Sequence, residues 1–113
     1  MVYRILVASY TNDISTLVFD PEAPSLTLAS TITVGHHPSW ITPHPTDKTI
    51  VFTALEQAEG KLIALKVDPE GRLTVVGEAS SGGADPCSLV VVGDELLAAN
   101  VRIAYSTPHI YSS

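Results

Sequence analysis

Histidine is the side chain whose proton comes and goes near neutral pH, and two of the four in this chain are adjacent, in the segment Gly35-His36-His37-Pro38. Groups of this kind can activate water as a base, provided that nearby donors hold a developing oxyanion. His36 and His37 lie on a predicted loop entering an inner strand, and Asp85, in Ala84-Asp85-Pro86, occupies the matching loop one repeat later. These three are the candidate catalytic residues. Zinc also accepts His and Asp, but adjacent histidines diverge in a strand and the spacing fits no metal pattern, so no metal is expected. Ser39 or Ser88 with a His and an Asp has the residue types of a triad but not the GxSxG nucleophile elbow. Gly82-Gly83 lacks the GxxxxGK[ST] phosphate loop and no helix follows it, so a sharp crossover is the better reading. Cys87 has no cationic neighbour in sequence and reads as an inert thiol. His44, between Pro43 and Pro45, reads as a turn residue, and Trp40 as packing between repeat units.

The elements that must carry these residues are strands. Tyr3 to Tyr10, Ser15 to Phe19 and Leu26 to Val34 are rich in β-favouring residues and separated by turn clusters. The last alternates Leu26, Leu28, Ser30, Ile32 and Val34 against polar or small residues, the pattern of a half-buried strand. Ser39 to Pro43, Thr49 to Leu55, Lys61 to Val67 and Leu73 to Ala79 follow, then Cys87 to Val92 and Leu96 to Val101. Thr49 to Leu55 is almost entirely apolar, as a strand buried on both faces would be. No helical stripe occurs.

These strands repeat. Asp20-Pro21-Glu22 returns as Asp68-Pro69-Glu70 and Pro38 returns as Pro86, each 48 residues on (68 − 20 and 86 − 38). Ile5 to Ser9 aligns with Ile50 to Ala54 and that run with Leu96 to Asn100. A period of about 40 to 50 residues built from short strands is the signature of a β-propeller blade. With the strands of a blade named A to D from the inside out, residues 3–34 supply B, C and D, residues 38–79 a full blade, and residues 87–101 the next A and B. The expected fold is therefore all-β: four-stranded antiparallel blades, about two and a part, in a ring that this chain does not close. Residues 102–113 match nothing upstream and are expected to be a separate tail.

Composition sets further bounds. Hydrophobic residues make up 45% and charged ones 16%, which fits a globular β protein and excludes disorder. The formal charge is −6 and the six Lys and Arg are scattered, so no nucleic-acid footprint is present. One cysteine excludes an internal disulfide. The start, MVYRILVASY, lacks a signal-peptide core, and no apolar run approaches a membrane span; a soluble, cytoplasmic protein is expected.

GHHPSWITPHPTDKTIVFTALE, KLIALKVDPEGRLTVVGEASSGGADPCSLVV and LLAAN resemble the lactonase family of seven-bladed propellers, in particular 6-phosphogluconolactonase-like proteins and carboxy-cis,cis-muconate cyclases. The resemblance runs from Tyr3 to Asn100. It implies hydrolysis of a sugar lactone such as 6-phosphogluconolactone, or lactone formation in the cyclase branch, without a redox cofactor. Many members carry His after the Ala-Asp-Pro-Cys motif, where this chain has Ser88. The family's acting His, Arg and Glu side chains belong to later blades, so none is carried over here, and the chain alone is expected to be an inactive fragment. A non-catalytic binding or structural module is the alternative. The implied partner is a small-molecule lactone once the propeller is complete, with self-association through open strand edges as a further expectation.

Overall fold

Turn chemistry decides where the strands end. The Asp20 carboxylate accepts the N–H groups of Glu22 (3.0 Å) and Ala23 (3.4 Å), and the Asp68 carboxylate those of Glu70 (2.9 Å) and Arg72 (2.8 Å). Each closes an outer hairpin, the second helped by Gly71 at φ 82°. The structure, a computed structural model, describes residues 1–101 and the backbone of residues 109–112. Its strands are β1 (Tyr3–Ala8), β2 (Asp13–Asp20), β3 (Ser25–Thr33), β4 (Pro38–Pro43), β5 (Ile50–Leu55), β6 (Lys61–Val67), β7 (Leu73–Ser80), β8 (Pro86–Val92), β9 (Glu95–Asn100) and β10 (His109–Ser112). They form three antiparallel sheets, β1-β2-β3, β4-β5-β6-β7 and β8-β9-β10. No helix occurs among the described residues, so none could cross a membrane.

The sheets stack side by side through two apolar layers. In the first, Ile14 meets Val51, Leu55, Ile63 and Leu65; in the second, Phe52, Ala54 and Leu62 meet Leu89, Leu96 and Ala98. β5 feeds both, which is why its side chains, the buried Thr53 apart, are apolar without alternation. Each fully buried aliphatic side chain contributes about 1.5–3 kcal/mol. β1 lies against β4 as β5 lies against β8, so β1 holds the second place in a blade, and β4 and β8 are innermost.

Two sequence readings shift. The apolar runs align Ile5 with Ile50 and Ile50 with Leu96. The faces of the strands instead put Leu6 at the place of Phe52, and Phe52 at the place of Leu97, one residue along on β5. A strand buried on both faces has no parity to reveal this. In β3 the alternation breaks. Pairing steps from Ser30 opposite Thr16 to Leu28 opposite Leu17, so Ala29 is a bulge. Ile32 packs in the first apolar layer, whereas Leu26 and Leu28 turn to the opposite face and are 60% and 65% exposed. The same bulge recurs at Val76 in β7, and β4 and β8 share one at Ser39 and Cys87.

Residues 102–108 of the expected tail lie outside the described residues. Beyond them β10 pairs with β9, at the position of a third blade strand.

Candidate functional site

The loops at which β4 and β8 begin and β5 ends bring together the residues singled out for chemistry. His37 and Asp85 both have φ 51°, the left-handed region that few non-glycine residues adopt. Each is held by the same pair of bonds. The His37 N–H donates to the Thr11 carbonyl (2.9 Å), and its own carbonyl accepts from the Glu56 N–H (2.9 Å). One repeat on, the Asp85 N–H donates to the Gln57 carbonyl (2.9 Å), and its carbonyl accepts from the Val101 N–H (3.1 Å). The corner before each proline therefore bolts an inner strand to its own blade and to the one before.

Side chains add a second layer of contacts. The rings of His36 and His37 stack with centroids 3.6 Å apart, and Tyr10 meets His37 edge-on at 5.3 Å. The Tyr10 hydroxyl donates to the Glu56 carboxylate. That bond, then the carboxylate's charge, and lesser effects of burial and of nearby Cys87, raise the Tyr10 pKa above that of an ordinary phenol. A hydroxyl so held stays protonated and can act as a donor, not as a base. Neither Tyr10 nor Glu56 stands out in the sequence, because they sit on the inner-to-outer loops of two different repeats. Blade topology is the signal that could have found them, since it puts those loops beside the His36-His37 loop.

The remaining candidates separate from this group. Asp85 is brought to the same end through Gln57, the residue after Glu56. Among the described residues no three His, Cys, Asp or Glu side chains converge on a metal position. Ser39 donates its hydroxyl to the Pro86 carbonyl (2.9 Å), tying the two inner strands together. Cys87 is a half-buried free thiol at the bulge equivalent to Ser39. His44 lies at the opposite end, where its Nδ1 accepts the N–H groups of Thr46 (3.1 Å) and Asp47 (2.9 Å). The Thr49 hydroxyl and N–H, both donated to Asp47, hold that carboxyl below its usual range. Gly82 takes φ 77° and the Gly83 carbonyl accepts the Gly60 N–H (2.9 Å), a crossover. Trp40, 43% exposed, lies on the side of β4 opposite to Ile41, which packs in the first apolar layer. A cleft of about 620 Å³ opens instead near the outer strands, by Glu59, Lys61 and Glu78. Lys61 and Glu78 pair across it at 3.7 Å, and it holds no histidine.

Antiparallel sheets stacked through apolar layers, innermost strands adjacent and inner loops gathered at one end, are consecutive blades of a β-propeller. The chain belongs to the lactonase family of seven-bladed β-propellers, which it matches over residues 4–106, past the last sequence repeat at Asn100. It is similar to a crystal structure from Bacteroides fragilis described as a "putative 6-phosphogluconolactonase", with a TM-score of 0.75 and 29% identity over 84% of this chain. A Bacteroides uniformis structure with the same description gives a TM-score of 0.73 and 28% identity over 84% of the chain. The chain spans 28% and 29% of the length of these two proteins. No curated protein matches it.

Proposed function

We propose that these blades belong to a propeller that opens a sugar lactone such as 6-phosphogluconolactone in the cytoplasm, and that the 113-residue chain alone does not turn it over. Family membership supports the reaction class, and one observation carries the local reading: Tyr10, His36, His37 and Glu56 meet at the inner end of the blades. In this reading the His37 imidazole takes a proton from water, and Tyr10, its hydroxyl donated to Glu56, holds the His37 ring edge-on. A phosphorylated sugar also needs cations. One of the chain's few, Lys61, is paired elsewhere, with Glu78. Groups from further blades complete the site, which accounts for inactivity of the chain alone.

Proton release from 6-phosphogluconolactone, with and without the purified chain, tests the second clause; enzymatic opening would sink it. Nuclear magnetic resonance titration with 6-phosphogluconate tests the first. Weak binding should move the signals of Tyr10, His36 and His37. Movement confined to the outer cleft at Lys61 and Glu78, or none, refutes the assignment.

A further inference from the structure

Among the described residues, exposed large apolar side chains fall mostly on the first and third sheets and the segments attached to them, while Val75 and Val76 lie on the outermost strand of the second. Trp40 fits neither group. It stands on β4, the innermost strand of the sheet that has a neighbour on both sides, and is still 43% exposed. Its partner across the ladder is Ala54, which packs toward the third sheet, so Trp40 takes that side too, beside β8. The strand on that side is present, yet the indole stays half open. It opens onto the space that innermost strands enclose in a propeller, the central channel. Its root is fixed: the Trp40 carbonyl accepts the Thr53 hydroxyl, and Ser39 before it donates to the Pro86 carbonyl (2.9 Å). The bulge at Ser39 leaves Trp40 one pairing step from Pro38. Glu56 lies two residues beyond Ala54, so Trp40 is rooted about 7 Å from the corner where the Glu56 N–H meets the His37 carbonyl. Among the described residues the indole meets no other ring, and its N–H makes no hydrogen bond.

We propose that Trp40 is a specificity-determining platform on which the ring of the sugar lactone lies; this rests on the lactone reading above. The face of an indole is electron-rich and attracts the polarised C–H groups on the apolar side of a sugar ring. Hydroxyls at the rim of the sugar keep their water or meet the free indole N–H. The separation from the His36-His37 corner is of the order of one six-membered ring with its substituents, so a ring on Trp40 presents its ester carbonyl to that corner. Hydrolysis opens the ring and removes the flat partner. The platform therefore favours the lactone over the open-chain acid, and the product leaves without this contact.

The protein has one tryptophan, so indole fluorescence reports this residue alone. The purified chain is titrated with glucose 6-phosphate, a sugar ring that does not hydrolyse, and in parallel with inorganic phosphate. Glucose 6-phosphate at millimolar concentration should change the emission saturably, and phosphate should not. An equal response to phosphate overturns the proposal, because an anion and not a ring is then being read. Followed by nuclear magnetic resonance, 6-phosphogluconate should bind the parent roughly tenfold more weakly than glucose 6-phosphate. Trp40→Ala should abolish that preference and keep its circular dichroism, whereas Trp40→Phe, with an aromatic face, should keep most of it. A preference unchanged in Trp40→Ala refutes the platform. Should that variant lose its fold, the emission of the parent decides. Signals of Tyr10, His36 and His37 that move while the emission stays constant refute the role of Trp40 and leave the lactone site standing. If neither responds to any of the sugar ligands, both readings fall.

Discussion

Gly60 occupies a place where the repeat leaves no room for a methyl group. A Cβ built there would lie 2.5 Å from Pro86 Cδ and 2.9 Å from its Cγ, and against the Ser81 hydroxyl. The hydroxyl can rotate, but the proline ring is fixed at the start of β8 and cannot. Gly60 also donates its N–H to the Gly83 carbonyl (2.9 Å) and accepts the Ser81 N–H (2.8 Å), so its backbone is pinned on both sides. Gly60→Ala must therefore push the second and third blades apart by about 1 Å, a strain of about 2 kcal/mol. Loosening one of the two hydrogen bonds adds about 1 kcal/mol. Against this, the stiffer unfolded chain returns about 0.4–1 kcal/mol. The clash wins, with a net loss of about 2 kcal/mol and a melting temperature lowered by roughly 8–16 °C. Gly93→Ala is the control: φ is 60°, but nothing lies within 4 Å of its Cβ, so only the backbone term of about 1 kcal/mol applies. Thermal melts of both variants and the parent, at one protein concentration, are the assay. If Gly60→Ala melts no lower than Gly93→Ala, the corner at Pro86 is not the close contact described.

Three further outcomes follow from named contacts. Thr16 is buried and donates its hydroxyl to the Gly71 carbonyl (2.8 Å), joining the first blade to the outer hairpin of the second. Thr16→Val should lower stability by about 1–3 kcal/mol, read as a lower urea midpoint at unchanged slope. At His37, φ 51° is easy for glycine and poor for a β-branched residue. His37→Gly should stay within about 1 kcal/mol of the parent in urea melts, whereas His37→Val loses about 2 kcal/mol. Tyr10 has its pKa raised, chiefly by its bond to Glu56 and then by that residue's charge. The folded state holds this proton more tightly than the unfolded state, so the stabilisation is full below the unfolded phenol pKa and is lost as pH rises through the folded value. In an ultraviolet titration the phenolate signal that Tyr10→Phe removes should therefore be the late one, and Glu56→Gln should bring it earlier.

Strand order was legible because turn residues sign each end: Asp20-Pro21 and Asp68-Pro69 close hairpins with the side-chain bonds those residue types make. The paired corners at His37 and Asp85 were legible too, as a 48-residue echo, and both carry the same φ. Parity was not. β5 is apolar on both faces, so hydrophobicity could not place Phe52 opposite the third sheet. Nor could alternation in Leu26 to Val34 announce the bulge at Ala29, a backbone event at an ordinary residue. The Tyr10–Glu56 bond joins loops a whole repeat apart, and only the stacking of blades makes them neighbours. β10 lies in a segment that matches no earlier repeat, and nothing in its composition resembles the earlier third strands.

The recurring bulge in the outer strands has a consequence for how the molecule comes apart. On one side of Val76, Leu73 packs toward the first blade; on the other, Ala79 pairs with Leu62, which packs toward the third. β7 is therefore anchored to both neighbours at once, and its loss would loosen two apolar layers together. Linear arrays often fray from an end, one repeat at a time. Here the second sheet cannot release one neighbour without disturbing its hold on the other, so heat should melt the three sheets in a single cooperative step.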